Sequence, residues 1–500
     1  MAVGTELISK IVGYKIEKGD FSTSSPNLPM RVLILGEANH ANQATFPTGL
    51  TEITSAQQAG ELYGYGSPIH SMMRILRPSN SVGVGGIPTI VGAQTASGGA
   101  TSRIMEVTPT GIATANATHT LVIAGREGVD GGRYDFAVAI GDSTSDITEK
   151  MVNAVNAVLS SPVTGTDTTY EGVFETKWRG LTAQGLNITV ETNGISAGIT
   201  YAVTEAQAGT GTPTVTNTLD LIQNNWVTIV INGYGLVPAV LTELEAFNGI
   251  ADPDNPTGRY AGIIFKPFVA VSGSVLENPS SITETRAAQM TIAVAPAPLS
   301  AGFAYEAAAN MVTLLARQAQ DTPHLDVSGQ FYPDMPTPIS IGVMNTYLER
   351  NSILGKGCST VELIDGRYRV VDFATTYHPA GETPPQFRWV RSLIQDWNVR
   401  FGYFLLEQRN VVDHAIAKDT DIVTASKVIK PKIWKGIVAT YANDLAQRAI
   451  IADAPFMVAS LTVGISTTNP DRLNTRFSYK RSGYGRIAST IATAGFNFGE

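Results

Sequence analysis

Three short stretches carry residue types able to do chemistry, and each lacks a part that the chemistry needs. "RVLILGEANHANQ" (31–43) leads an apolar strand into Gly36. A dinucleotide site would need three spaced glycines ahead of a helix, to admit a pyrophosphate, and only Gly36 stands here. "GISAG" (194–198) matches the G-x-S-x-G elbow. That elbow holds its serine exposed only between an incoming strand and an outgoing helix. "LNITVETN" leads in, but "ITYAVTE" leads out as another strand, so Ser196 reads as part of a glycine-bearing hairpin turn. Cys358, the only cysteine, lies in "LGKGCST" beside Lys356, a cation able to favour the thiolate. No histidine is near it in sequence, and the spacing is not that of a phosphate loop. The histidines, His40, His70, His119, His324, His378 and His414, form neither HxH nor HExxH, and they read as surface or loop residues. No catalytic, cofactor-binding or metal-ligating residue is expected.

One charge feature stands out. Residues 471–500 hold Arg472, Arg476, Lys480, Arg481 and Arg486 against Asp471 and Glu500. The helix expected over 387–409 holds Arg388, Arg391, Arg400 and Arg409 against Asp396 and Glu407. In a chain of net charge −8 these are local reversals. They are either solvated faces or a basic surface for an acidic protein partner.

Composition sets the bounds. Five hundred residues exceed one ordinary core, so two to four units are expected. Charged residues make up only 16 % of the chain and apolar ones 43 %, which suggests a surface largely covered by partner subunits. The mild negative charge argues against nucleic acid as a partner. A single cysteine excludes an intrachain disulfide. "MAVGTELISK" has no signal-peptide pattern, and no apolar run approaches the roughly 18 residues needed to cross a bilayer. Synthesis in the cytosol without membrane insertion is expected.

The elements follow from periodicity. Residues 1–30 read as an arm: a short strand in "KIVGYKIEKG", with Ile11, Val12, Tyr14 and Ile16, and then a polar linker. Residues 31–92 and 219–345 read as one α/β middle domain. Its strands are "RVLIL", "IPTIV", "WVTIVI", "AGIIF" and "TIAVA", apolar throughout, as in a sheet covered on both faces. Thr54 with Gln57 suggests a capping box, and Ser67-Pro68 an N-cap and first helical position. Residues 93–218 read as a β-rich insertion with its own core. There Tyr134, Phe136, Val138 and Ile140 alternate, and a helix is expected at 145–159 on Ile147, Met151, Val155 and Val158. Residues 346–470 read as a further domain. It has a hairpin turning at Asp365-Gly366, a helix with Phe387, Val390, Ile394, Trp397, Phe401 and Phe404 or Leu405 on one side, a helix from Pro431 with Ile433, Ile437, Tyr441 and Leu445, and a strand "FMVASLTV".

Residues 471–500 form a tail. Leu473, Thr475, Phe477 and Tyr479 alternate with polar residues, and a second extended run, with Ile487 and Ile491, spans 486–498. A terminal strand must pair with something.

Taken in order, these pieces resemble the contractile tail sheath proteins of myovirus-type bacteriophages, of the Mu-like sheath kind. "SKIVGYKIEKGDFSTSSPNLPMRVLILGEANHANQA" is similar to the family's N-terminal arm and first strand, and "EITSAQQAGELYGYGSPIHSMMRIL" to the helix pair that follows. The stretches "RVVDFATTYH" to "DWNVRFGYFLLE" resemble the C-terminal domain, and "NPDRLNTRFSYKRSGYGRIASTIATAGFNF" its terminal strands. The resemblance is weakest over 93–218.

It implies an α+β multidomain fold with extended N- and C-terminal arms and an outward β-rich insertion. It implies a non-enzymatic virion subunit without cofactors, assembled in the host cytoplasm into the tail. Six-fold helical rings would form by strand exchange through Ile11, Val12, Tyr14, Ile16, Leu473, Phe477, Tyr479, Ile487 and Ile491. The partners implied are further copies, the tail tube protein, and the baseplate and tail terminator proteins. Contraction would drive the tube through the envelope for genome ejection and host entry, with hinges at "GDFSTSSPNLP" and "STTNPD" and with Arg388, Arg391, Arg400 and Arg409 facing the tube. The alternatives are the sheath of a phage-derived injection device, tailocin-like, and an α/β enzyme. A third alternative is that the insertion binds a receptor or glycan, set against the expectation of a decorative, variable insertion.

Overall fold

The computed structural model describes residues 26–124, 132–262 and 265–496. The strand expected at Ile11, Val12, Tyr14 and Ile16 lies outside them. The architecture is mixed α/β, with several sheets. Residues 29–394 form one compact unit; residues 395–496 form the other, together with 26–28.

In the larger unit, β1 (Val32–Glu37), β2 (Thr51–Glu52), α1 (Ala56–Tyr63), α2 (Pro68–Leu76) and β3 (Thr89–Gln94) come first. Ser67 caps α2, accepting from the His70 N–H, with Pro68 as its first residue. The cap of α1 is Ser55, one residue later than expected, and Gln58 returns a bond to the Thr54 N–H. The insertion follows with β4 (Ile104–Thr110), β5 (Ala117–Ile123), β6 (Arg133–Val138), α3 (Thr144–Asn156), β7 (Val163–Asp167), β8 (Gly172–Thr176), β9 (Ile188–Glu191) and β10 (Thr200–Gln207). Its strands make two antiparallel sheets, β10-β4-β8-β7 and β6-β5-β9. Tyr134, Phe136 and Val138 point inward, but Ile140 lies past the strand and is exposed. Ser143 and Asp146 close a capping box on α3, which buries Ile147, Met151 and Val155.

The chain then returns with α4 (Thr216–Asp220), β11 (Ile229–Asn232), α5 (Pro238–Asn248), β12 (Val269–Ser274), α6 (Ser280–Thr283), β13 (Ile292–Pro296) and α7 (Ala304–Asp321). The central sheet runs β13-β12-β11-β1-β3-β2, parallel except for the short edge strand β2. Alternate residues of β1 face opposite sides, as the pleat demands. Leu33 and Leu35 join a core with Leu219, Val240, Leu241 and Leu244. On the other face Gly36 lies under Ile69 and Met72 of α2. Gly273 of β12 lies so close to the Ala304 carbonyl that a Cβ there would fall 1.7 Å from the oxygen, so α7 packs against bare backbone. The strand expected at "AGIIF" falls in part on residues 263 and 264, outside the described residues; the next described strand is β12.

The larger unit also takes α8 (Tyr347–Gly355), β14 (Thr360–Ile364) and β15 (Arg367–Asp372). Residues 346–394 therefore belong with the larger unit, and the division falls at Gln395, not 346. Hydrogen bonds fasten them there: the Thr376 N–H to the Ile292 carbonyl at 2.9 Å, and the Tyr368 hydroxyl to the Pro298 carbonyl at 2.7 Å. Both Asp365 (φ 48°) and Gly366 (φ 67°) are left-handed, as the two-residue hairpin turn requires.

Helix α9 (Val390–Asn410) crosses the division at Gln395. It starts after Phe387 and Arg388, later than expected, and Phe404 is exposed rather than core. The smaller unit continues with β16 (Ala415–Ile416), β17 (Val428–Ile429), α10 (Pro431–Gln447), β18 (Ile451–Ala452), α11 (Ala454–Ser460), β19 (Thr462–Ile465), β20 (Leu473–Arg476) and β21 (Lys480–Arg481). Its core gathers Val399, Trp434, Val438, Tyr441, Leu445, Met457 and Leu461. On α10 the buried stripe starts at Trp434, whereas Ile433 is half exposed. "FMVAS" is helical, not a strand, because the Asp453 carboxylate caps it at the Phe456 N–H.

Candidate functional site

The tail region of the smaller unit is built on α9 and α10. β20 pairs antiparallel with β19, Leu473 opposite Ile465 and Arg476 opposite Thr462. β21 pairs with β18 through Ile451 and Arg481. The alternation is as expected: Leu473, Phe477 and Tyr479 pack against the core with Thr475 half-buried on the same side, and Asn474, Arg476 and Ser478 are exposed. The Trp434 Nε1–H donates to Thr475 Oγ1 at 2.9 Å and ties β20 to α10.

Leu473, Phe477 and Tyr479, expected to pair in a neighbouring subunit, pack within this chain against the core of the smaller unit. The backbone groups that a terminal strand must satisfy find β18 and β19 in the same chain. "STTNPD", expected as a hinge, forms the loop of the β19–β20 hairpin. Ser466 Oγ accepts from the Thr468 and Asn469 N–H groups, and Asn469 Oδ1 from the Asp471 N–H, which brace it. In "GDFSTSSPNLP", residues 19–25 lie outside the described residues, while the Leu28 N–H is held by Asn398 Oδ1 at 2.9 Å.

Beyond Arg481 the character changes. Among the described residues, 482–496 carry neither strand nor helix, so the second strand expected over 486–498 is not formed over 486–496, and 497 and 498 lie outside the described residues. Ile487, Ile491 and Phe496 are 87 %, 93 % and 89 % exposed.

The four arginines expected on one tube-facing surface do not share an environment. Arg391 is buried, and its Nε donates to the His324 carbonyl at 2.5 Å. Arg388 precedes α9 and is partly buried, which holds its guanidinium below the usual range. Both belong to the larger unit. In the smaller unit, Arg400 lies 3.8 Å from Glu407 and over the Phe404 ring, and Arg409 is exposed.

None of the chemical candidates assembles. Ser196 lies in an exposed turn between β9 and β10, which belong to different sheets, so the turn is not a hairpin. Cys358 is buried with its Sγ at 3.3 Å from the Ser359 carbonyl, and burial pushes the thiol up. Lys356 pairs with Glu284 at 3.0 Å instead. His70 and His119 are interior, not surface. His119 is wedged between Tyr201 Oη at 2.6 Å and the Ile195 carbonyl at 2.9 Å. Among the described residues, no three of His, Cys, Asp and Glu are grouped to hold a metal, and no helix is long and apolar enough to cross a membrane.

Two features were not legible in sequence. An open cavity of about 560 Å³ lies beside the loop after β1, lined by Asn39, His40, Glu61, Tyr65, Glu175 and Lys177. Burial lowers Lys177 to about 8, and its Nζ donates to the Leu159 carbonyl at 2.9 Å. The other is Glu37, sealed at the carboxyl end of β1, with Thr182 Oγ1 donating to it at 2.6 Å; burial raises its carboxyl to about 8. Only an acid at the end of an otherwise apolar strand hinted at it.

No family model matches the chain, and no curated protein matches it. Among solved structures, the chain is similar to the sheath tail protein of Desulfitobacterium hafniense, at 12 % identity and a TM-score of 0.43, over 95 % of this chain and 100 % of that one. It is similar also to the sheath tail protein of Listeria innocua, at 11 % identity and a TM-score of 0.41, over 92 % of this chain and 94 % of that one. Both likenesses are remote.

Proposed function

We propose that this chain is the structural subunit of a contractile tail sheath, polymerising around a tail tube and acting mechanically rather than by covalent chemistry. The observation that carries the reading is the run from Ile487 to Phe496. It places large apolar side chains in solvent, outside any strand or helix, directly after strands fastened to their own unit. Such a segment is a liability in a monomer and a linkage in a polymer, where backbone bonds to a neighbour's sheet edge attach it. The order of the sequence stretches described above supports the same reading. A head-to-tail contact that does not close generates an open helical tube. Six-fold rings, a tail tube protein inside, and baseplate and terminator proteins at the ends are the partners proposed, in a virion tail assembled in the host cytoplasm. Tube contact is assigned to Arg400 and Arg409, which keep exposed surface in the smaller unit. A phage-derived injection device would use the same subunit, and gene neighbourhood separates the two.

The test is negative-stain electron microscopy of the purified chain over a range of salt. Hollow striated tubes are expected without any added ligand. They should vanish on deletion of residues 486–500, while circular dichroism stays unchanged. A monodisperse particle, with or without tube protein added, would sink the reading.

A further inference from the structure

The cavity beside the loop after β1 sits at a particular place in the central sheet. The chain leaves β1 for β3 on one side and returns with β11 on the other, so the strand order turns at β1. In open α/β sheets, ligands bind outside the carboxyl ends of the strands at such a point. The middle domain lines the cavity with Asn39, Glu61 and Tyr65, and the insertion with Leu159, Glu175 and Lys177. Its volume of about 560 Å³ is that of a small-ligand pocket.

Several polar groups there are held in place with bonding capacity to spare. Asn39 is 6 % exposed, and its Nδ2 donates to the Tyr65 carbonyl at 2.8 Å, which fixes the amide and leaves Oδ1 to accept. Oδ1 is buried and has no partner among the described residues, which costs free energy unless something donates to it. Gly64, at φ 92°, makes room for this amide, since a Cβ there would lie 2.3 Å from Nδ2. Lys177 Nζ donates to the Leu159 carbonyl at 2.9 Å and to the Tyr65 carbonyl at 3.5 Å, which leaves one of its three donors. Burial alone perturbs this ammonium, so no carboxylate neutralises it. Glu61 and Glu175 accept through Oε1 from Gln57 and Ser102, and the second oxygen of each has no partner among the described residues. The Tyr65 ring lies against Gly60, where a Cβ would meet it at 2.5 Å, and Leu159 is exposed.

These groups dictate the chemistry of an occupant. Asn39 Oδ1 and the two carboxylates only accept, and Lys177 only donates. A carboxylate or phosphate would find one donor and two like charges. A cation would face Lys177. A hydroxyl is uncharged and both donates and accepts on one atom. In a sugar ring hydroxyls stand in a row beside an apolar C–H face, which suits Tyr65 and Leu159. We propose that this cavity binds a neutral saccharide unit, whose hydroxyls donate to Asn39 Oδ1, Glu61 and Glu175 and accept from Lys177 Nζ. The site is shared by the middle domain and the insertion, and it stands independently of the sheath reading.

Saturation-transfer NMR on the full-length chain tests it. The probes are glucose, galactose, rhamnose and N-acetylglucosamine, with acetate and glycine as charged controls. At least one sugar should receive saturation from the protein. Lys177→Met should weaken that binding by about tenfold or more, the loss expected for a hydrogen bond to a charged group. Ala41→Trp fills the cavity from an exposed lining position. It should abolish the transfer with circular dichroism unchanged, and it decides the matter where Lys177→Met does not fold. No transfer to any of the four sugars, transfer that survives Ala41→Trp, binding unchanged by a folded Lys177→Met, or binding of acetate or glycine in preference to the sugars would each overturn the proposal.

Discussion

The Thr182 hydroxyl of the insertion donates to Glu37 Oε2, 2.6 Å away at the carboxyl end of the central strand β1, and itself accepts from the Trp178 Nε1–H at 2.9 Å. A residue of the β-rich insertion therefore bonds directly to the end of the central sheet. Gly180 makes room for it, since a Cβ there would lie 2.5 Å from Glu37 Oε1. The insertion is bonded into the middle domain and is not a detached decoration.

Glu37 should make stability depend on pH. Burial raises its carboxyl from an ordinary 4.5 to about 8, which the Thr182 hydrogen bond offsets only in part. A raised acid holds its proton in the folded state after the unfolded chain has released it. Its stabilising contribution is full below about pH 4.5, declines above that, and is lost as pH rises through about 8. Thermal melts between pH 5 and 9 should show the wild type losing stability toward alkali more steeply than Glu37→Gln. Parallel profiles would count against a buried, protonated Glu37.

Trp178 should be a keystone of the insertion. It is fully buried, edge-on to Phe303 at 5.7 Å and to Tyr305 at 6.3 Å between ring centres. Trp178→Ala should destabilise the larger unit by about 3–5 kcal/mol, from lost transfer energy and the cavity left behind. Deleting the insertion whole would expose the same two rings, so it should lower stability as well. Urea unfolding followed by circular dichroism checks both, and a cost below about 1 kcal/mol for Trp178→Ala would contradict this packing.

The β14–β15 turn should discriminate between its two residues. Gly366, at φ 67°, should lose about 1–2 kcal/mol on substitution by Ala, because a Cβ crowds the following carbonyl in the left-handed region. Asp365→Asn should be nearly neutral, since both side chains tolerate φ 48° there. Equilibrium denaturation of the two variants tests the asymmetry.

Several parts of the fold were legible in the sequence, because they depend on local periodicity and local backbone chemistry. The apolar runs of β1, β11 and β13 announce strands buried on both faces. Ser67-Pro68 announces a helix start, Asp365-Gly366 a tight turn, and the alternation from Leu473 to Tyr479 a half-buried strand. Each signal lies within a few residues of what it specifies. The misses lie where a distant partner decides. "FMVAS" has a strand's composition, yet the Asp453 cap and the packing of Met457 in the core make it a helix. Arg388, Arg391, Arg400 and Arg409 share a sequence stretch, but helical phase and the division at Gln395 give them different surroundings.

The sequence by itself determined that the tail has an inward and an outward face, because alternation is a property of the strand. Only the tertiary structure decided whose core the inward face joins. That choice depends on α9 bringing Asp396 to Arg481 and Tyr479, 85 and 83 residues further along the chain, and on β18 and β19 offering the backbone partners. Pairing across such a separation carries no local signature. It follows from where folding places the two segments.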